Sequence, residues 1–354
     1  MPLHGPVLVT GGSGFVGGAL LDRLVADGRE VRAIGRSHDA RNAVEARGAR
    51  PIRSDVLELG SLVEAMRGCE VVFHAAGVSQ ICIRDPRPML RTNIQGSANV
   101  VRAAARAGTG RFVYTSSAAT IGERRGTVGH EDSPHRGSYL SSYERSKHLA
   151  ERGVLALAGE LGVDLVCLNP SSVQGPGRTH GSAQLLMRLA DGRVPVLVET
   201  TVSVIDVDDC AEGHLLAEER GGRGERYVLS GAALTAHEAV TLLRQITGRP
   251  ERVRFLPGWM ASAGAATIEG TARLLHREAP VCRDAARTLL HGHRYDGSRA
   301  TRDLGLSYRS IGDTVERTLN WYAERGLIRP IPGRDPIGRM APPRPPAHRP
   351  EEGR

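Results

Sequence analysis

One stretch near the start leaves few folds open. Pro6-Val7-Leu8-Val9-Thr10 is a short apolar run of the length of a buried strand. It passes directly into Gly11-Gly12-Ser13-Gly14-Phe15-Val16-Gly17-Gly18, and then into Ala19-Leu20-Leu21 and Leu24-Val25 at helical spacing. Strand, glycine turn and helix in that order form the unit that binds dinucleotides. Gly11 permits the tight turn, Gly14 lets the backbone approach a pyrophosphate, and Gly17 lets the helix pack closely on the strand. The helix N-terminus then faces the phosphates.

The alternation of strand and helix then repeats along the chain. Glu30-Val31-Arg32-Ala33-Ile34 reads as a second strand ending in Gly35-Arg36-Ser37. An NAD site places an acidic residue here for the ribose hydroxyls, whereas Arg36, assisted by Arg41, suits the 2′-phosphate of NADP. Pro51 to Val56 reads as a third strand, with Asp55 and Val56 placed to edge the adenine. Glu70-Val71-Val72-Phe73-His74 opens into Ala75-Ala76-Gly77, a small-residue loop on which a flat cofactor can lie. His74, at the end of an apolar strand, reads as structurally satisfied, not as a base. A helix from Met89 to about Ala107 leads to a fifth strand, Arg111-Phe112-Val113-Tyr114-Thr115-Ser116-Ser117, which ends in hydroxyls. The C-terminal edge of a parallel sheet is where such folds handle ligands. Gly122 to Tyr139 reads as a polar surface loop, and a helix runs from near Ser141 to about Leu161. The expected fold is α/β, a Rossmann doubly wound parallel sheet followed by a smaller, mostly helical C-terminal substrate lobe.

That last helix carries Lys147, the only lysine in the chain, four residues after Tyr143. Residues i and i+4 share a helix face, so phenol and ammonium can reach one bound molecule. A free tyrosine has a pKa of about 10, and a neighbouring cation lowers it toward the range of a working acid or base.

Together these motifs resemble the extended short-chain dehydrogenase/reductases of the NAD-dependent epimerase/dehydratase type, and the resemblance runs to about Leu327. It rests on Thr10 to Gly17, Asp55-Val56, His74 to Gly77, Thr115-Ser116-Ser117-Ala118, Tyr143-x-x-x-Lys147 and Asn169-Pro170-Ser171-Ser172-Val173. It implies that Ser117 holds a substrate carbonyl, Tyr143 passes the proton, and Lys147 binds the nicotinamide ribose and tunes Tyr143. It further implies that Gly11, Gly14, Phe15, Val16, Gly17, Ala75, Ala76, Pro170 and Val173 border the cofactor, NADP by preference with NAD possible. The family often dimerises through helices on the catalytic side, so a homodimer is the implied assembly.

Within the superfamily, nucleotide-sugar epimerases carry Arg-Asp where this chain has Val202-Ser203. The sugar-nucleotide dehydratases carry Asp-Glu where it has Ala118-Ala119. Val31 to Arg36 and Thr115 to Ala118 instead look like dihydroflavonol reductases. The apolar stretch Trp259 to Leu275, with Arg277 to Val281 and Tyr295 to Gly305, resembles the 3β-hydroxysteroid dehydrogenase branch. The expectation is an oxidoreductase interconverting a ketone and a secondary alcohol on a hydrophobic cyclic small molecule. A sugar epimerase is the alternative, and a non-catalytic NAD(P) sensor a second one. Trp259 to Leu275 reads equally as a cleft cover or as core.

The remaining expectations are organisational. Residues 1–175 form the cofactor domain, with a returning sheet segment near 200–230; residues 176–328 are mainly substrate lobe, and residues 329–354 a disordered Pro/Arg-rich tail. The net charge of +8 comes from basic residues spread among acids, without the stripe that nucleic acid requires. No apolar run spans a membrane and no export signal is evident, so a cytoplasmic enzyme is expected. Cys69, Cys82, Cys167, Cys210 and Cys282 are scattered, which reads as buried free thiols with no disulfide and no metal site.

Overall fold

A computed structural model describes residues 5–249, 253–275, 277 and 281–332. Its centre is a parallel sheet of seven strands. They are β1 (Val7–Thr10), β2 (Val31–Ile34), β3 (Arg50–Ile52), β4 (Val71–His74), β5 (Arg111–Thr115), β6 (Leu165–Pro170) and β7 (Arg226–Leu229). The spatial order is β7-β6-β5-β4-β1-β2-β3, so the winding reverses between β1 and β4. That switch point is where a doubly wound sheet opens a ligand crevice.

The strands read as unbroken apolar runs because both faces are covered. Alternate residues serve alternate faces. Val7, Val9, Val71, Phe73 and Val113 join one core cluster, and Leu8, Val72, Phe112 and Tyr114 join the other. Helix α1 (Phe15–Ala26) supplies Leu20, Leu21 and Leu24 to the first cluster. Helix α2 (Ser97–Ala107) supplies Val100 and Val101 to the second, and helix α3 (Ser142–Leu161) supplies Val154. Helix α4 (Val207–Arg220) returns to the first face through Cys210 and Ala217. At about 25 cal/mol per Å² of apolar surface, such doubly covered strands dominate the stability of the domain.

The chain beyond β6 builds a third core cluster around Leu189, Leu243, Leu319, Tyr322, Ile328 and Ile331. Helix Ala236–Thr247 begins at the capping box of Thr235 and Glu238. Helix Ile311–Glu324 is capped by Ser310 and buries Leu319 and Tyr322.

Several expectations require correction. Cys82 and Cys282 form a disulfide across a sequence separation of 200 residues, so only Cys69, Cys167 and Cys210 are free buried thiols. Sequence spacing held no hint of it, because partners that far apart are brought together only by the fold. The segment from Gly122 to Tyr139 is not a plain surface loop: Glu123 and Glu131 are buried, and Val128–Gly129 pairs in parallel with Arg294–Tyr295. Of the segment expected to return to the sheet near 200–230, Arg226–Leu229 does so as β7, whereas Thr201–Asp206, which leads into α4, belongs to a separate three-stranded sheet with Ser172–Gln174 and Ala232–Thr235. Helix Gly258–Leu274 is not core, since Trp259 is 72% and Leu274 81% exposed. At the start of the expected tail, Ile331 is buried and Arg329 donates its backbone N–H to Asp191. Residues 333–354 lie outside the described residues, as does part of the Arg277 to Val281 stretch. No described helix is long and apolar enough to cross a membrane.

Candidate active site

The glycine turn has the geometry its residue types require. Gly11 has φ +77°, and a Cβ there would stand 2.6 Å from the backbone N of Ala76. A Cβ on Gly17 would stand 2.2 Å from the carbonyl oxygen of Gly11. Gly14 is the N-cap of α1 and offers no side-chain cap, which leaves the first backbone N–H groups of the helix for a ligand. These close approaches fit a dinucleotide pyrophosphate: the cradle exists because side chains are missing from it. Thr10 ties the turn to the next loop, its hydroxyl accepting from Ala76 N at 3.2 Å and its carbonyl accepting from Ala75 N at 3.1 Å.

At the adenosine end, Arg36 is 80% exposed and its Nη1 lies 3.9 Å from Asp55 Oδ2. Arg41 donates to the Arg36 carbonyl oxygen at 3.4 Å. Val56 is buried, with its carbonyl oxygen accepting from Asn99 at 3.2 Å. The two sides expected to edge an adenosine therefore face each other across β2 and β3.

The catalytic candidates meet where β5 ends and α3 begins. Ser117 is the N-cap of a short 3₁₀ turn, Ala118–Ile121, and its carbonyl oxygen accepts from Thr120 and Asn169. Tyr143 lies in the first turn of α3, capped by Ser141. Burial raises the Tyr143 phenol above the ordinary tyrosine range, while a hydrogen bond from Ser117 and the charge of Arg178 pull it down. Lys147, buried, donates to the Thr115 carbonyl oxygen at 3.0 Å, and burial lowers its pKa to about 8. Its Nζ would lie 3.9 Å from a Cβ on Gly77. That distance sets the lone lysine beside the Ala75-Ala76-Gly77 loop. Pro170 and Val173 are buried, at the end of β6 and in the strand Ser172–Gln174. His74 is satisfied on both nitrogens, by Thr10 at 2.6 Å and Ser97 at 2.9 Å.

Two residues escaped the sequence reading. Asn93 lies in a π-helical turn, Arg91–Gly96, between Leu90 and α2. It bonds both the N–H and the carbonyl oxygen of Val78 and donates to Ser146 at 2.8 Å, so it joins the cofactor-side loop to α3. Such turns within α-helices often accompany functional sites, but the sequence carries no mark of one. Arg178 follows Gly175-Pro176-Gly177, donates to the Val173 carbonyl oxygen, and sets its Cζ 5.7 Å from the centroid of Phe15. Tyr322, in the helix Ile311–Glu324, donates to the Arg178 carbonyl oxygen at 2.7 Å. In a chain so rich in arginine, nothing in composition singles this one out.

Comparison with known proteins places this geometry in context. The family model described as "NAD dependent epimerase/dehydratase family" matches residues 7–230. A ketoreductase of 4-hydroxy-2-methyl-3-oxo-4-farnesyl-3,4-dihydroquinoline-1-oxide from Stigmatella aurantiaca is 34% identical, over 85% of this chain and 91% of that one. The dihydroflavonol 4-reductase of Zea mays is 33% identical, over 68% of this chain and 74% of its own. The solved structure of gox2253 superposes with a TM-score of 0.81 at 30% identity, covering 91% of this chain and 99% of that one.

Proposed function

The chain belongs to the NAD dependent epimerase/dehydratase family and is an NAD(P)-dependent oxidoreductase of the extended short-chain type; from that premise we propose that it is an NADP-dependent ketone reductase acting on a hydrophobic ring substrate. The observation that carries the reading is that the Tyr143 phenol meets the Ser117 hydroxyl at the sheet edge, while Lys147, one turn on in the same helix, is anchored on Thr115 beside the Ala75-Ala76-Gly77 loop.

The glycine turn, Arg36 and Lys147 would hold NADPH, which would supply a hydride to the carbonyl carbon when bound. The protein's task is to hold the carbonyl, deliver a proton and stabilise the developing alkoxide. Ser117 donates a hydrogen bond to the carbonyl oxygen, and Tyr143 gives its phenolic proton to that oxygen as the hydride arrives. The proton leaves behind a phenolate, whose charge the Arg178 guanidinium favours while the single Ser117 hydroxyl proton stays on the carbonyl oxygen. Lys147, oriented by Thr115, holds the nicotinamide ribose. In the reverse reaction the same phenolate takes the alcohol proton.

The substrate class rests on two supports. Two relatives are named as reductases of ring compounds, a 3-oxo-dihydroquinoline and a dihydroflavonol. Val202-Ser203 and Ala118-Ala119 stand where nucleotide-sugar enzymes carry charged pairs.

The test is turnover of a ring-ketone panel with NADPH, in the wild type and in Tyr143→Phe. The variant should lose at least about 100-fold in turnover and still bind NADPH. Wild-type rates in the variant would sink the mechanism. NAD that stays bound through purification, with no net NADPH consumption, would replace the reductase reading with an epimerase.

A further inference from the structure

Away from the catalytic group, Glu123, His291 and His293 bring a carboxylate oxygen and two imidazole nitrogens within 4.8 Å of one another. Three separate elements deliver them. Glu123 directly follows Gly122, whose φ of +63° closes the 3₁₀ turn begun by Ser117. His291 ends the helix Arg283–His291, and Gly292, at φ +68°, reverses the chain into His293. His293 is pinned by its backbone: its N–H donates to Thr201 at 2.7 Å and its carbonyl oxygen accepts from Ser203 at 3.3 Å. The next residues, Arg294–Tyr295, pair with Val128–Gly129 beside the Glu123 side chain. A side-chain cluster on such supports is built, not incidental.

Its hydrogen bonding is incomplete in a specific way. Glu123 Oε1 pairs with His293 Nδ1 at 2.6 Å, and the Tyr295 hydroxyl lies 3.1 Å from the same nitrogen. Glu123 Oε2 and His291 Nε2 are buried without a hydrogen-bond partner among the described residues. The Glu123 side chain is only 1% exposed, and that of His291 8%. His291 Nε2 stands 3.6 Å from Glu123 Oε1, too far for a good hydrogen bond. Leaving one such buried group unmet costs about 1–3 kcal/mol.

A proton shared between Glu123 and His293 answers only Oε1 and leaves both orphans in place. A divalent cation answers both at once. The local charge allows it: Arg136 donates to the Glu123 backbone oxygen, and its own charge is matched by a buried ion pair with Glu144. The site itself then offers one carboxylate and two imidazoles.

We propose that Glu123, His291 and His293 bind a zinc-class divalent cation that fastens the segment following Ser117 to the C-terminal lobe. Two imidazoles and one carboxylate are a donor set that suits zinc, at bond lengths of about 2.0–2.2 Å. Donors at that bond length around a tetrahedral ion stand about 3.3–3.6 Å from one another, so closing a cluster that lies within 4.8 Å needs side-chain movements of about an ångström. A water or the Tyr295 hydroxyl completes four-coordination. The cation's role is structural, and the reaction of the Ser117–Tyr143–Lys147 group does not run through it.

The experiment uses the full chain without an affinity tag, stripped with chelator, then titrated with Zn²⁺ and, separately, with Co²⁺. The expected result is about one Zn²⁺ per chain after desalting, with a rise in the unfolding midpoint on metal addition. Co²⁺ should give visible d–d bands without the intense near-ultraviolet band of a cobalt–thiolate. Glu123→Gln and His291→Ala should each lose the bound metal and the rise in midpoint. Wild-type protein that retains no stoichiometric metal overturns the proposal, whatever the variants do. So does a thiolate band, which would assign the metal to cysteine, or binding left unchanged in both variants.

Discussion

Arg178 holds its guanidinium against the ring of Phe15, with Cζ 5.7 Å from the centroid. Phe15 opens α1 directly after the glycine turn, and Arg178 also acts electrostatically on Tyr143. One side chain thus touches the first residue of the helix behind the glycine turn and biases the proposed proton donor.

Replacing Arg178 with methionine keeps bulk and removes charge, so the Tyr143 pKa should rise. In the alcohol-oxidising direction the phenolate is the working form, and the ascending limb of the pH–rate profile should move to higher pH. At near-neutral pH we expect a loss of roughly tenfold, about 1.4 kcal/mol of transition-state stabilisation. A pH profile that superposes on the wild type would remove Arg178 from the proton transfer.

Arg36 faces solvent beside Asp55, free to turn toward a 2′-phosphate. Fluorescence titration with NADPH and NADH should give a preference for NADPH of at least about tenfold, or 1.4 kcal/mol. Arg36→Ala should abolish most of that preference while leaving NADH affinity within about twofold. Tighter binding of NADH by the wild type would assign the enzyme to NAD.

A methyl group at Gly17 collides with backbone, 2.2 Å from the Gly11 carbonyl oxygen, so the turn has no flexible neighbour to yield. Gly17→Ala should therefore lower the thermal midpoint and weaken dinucleotide binding at least about tenfold. Gly159→Ala, on α3 where nothing lies within 4 Å of the added methyl, serves as the control and should do neither. Equal behaviour of the two variants would argue against a close backbone approach at the turn.

Buried histidines set a pH limit on stability. Burial lowers His214 to about 4; its Nδ1 donates to the Cys210 carbonyl oxygen and its Nε2 meets the Thr115 hydroxyl. Burial, with the charge of Lys147, lowers His74 to about 3. Below the ordinary histidine pKa of about 6.5 the unfolded chain takes up protons that the folded one refuses. Stability therefore falls as pH drops from there toward about 4, by up to about 1.4 kcal/mol per pH unit for each histidine. Glu144 and Glu218, raised by burial, tilt the other way, so the variant provides the comparison. Urea midpoints at several pH values should fall less steeply for His214→Gln than for the wild type. Parallel slopes would mean that His214 charges freely in the folded protein.

The sheet, the glycine turn and the Tyr143–Lys147 pair were legible in the sequence because each is local. Apolar runs of strand length, a glycine at each close approach and an i to i+4 spacing are short-range patterns. The order β7-β6-β5-β4-β1-β2-β3 is built on the same alternation of strand and helix. Partners far apart along the chain left no such trace. The Cys82–Cys282 bridge spans 200 residues, the Arg178 contact with Phe15 joins a mid-chain loop to the first helix, and Glu123 meets His293 across the two halves of the chain. The exposure of Trp259 was equally hidden, since an apolar helix packs inward only if a neighbouring surface exists to cover it. Sequence determined the main strands and helices and which candidate side chains each of them carries. Tertiary structure alone decided which distant side chains became neighbours, because that depends on how the closed loops between them bring their ends together.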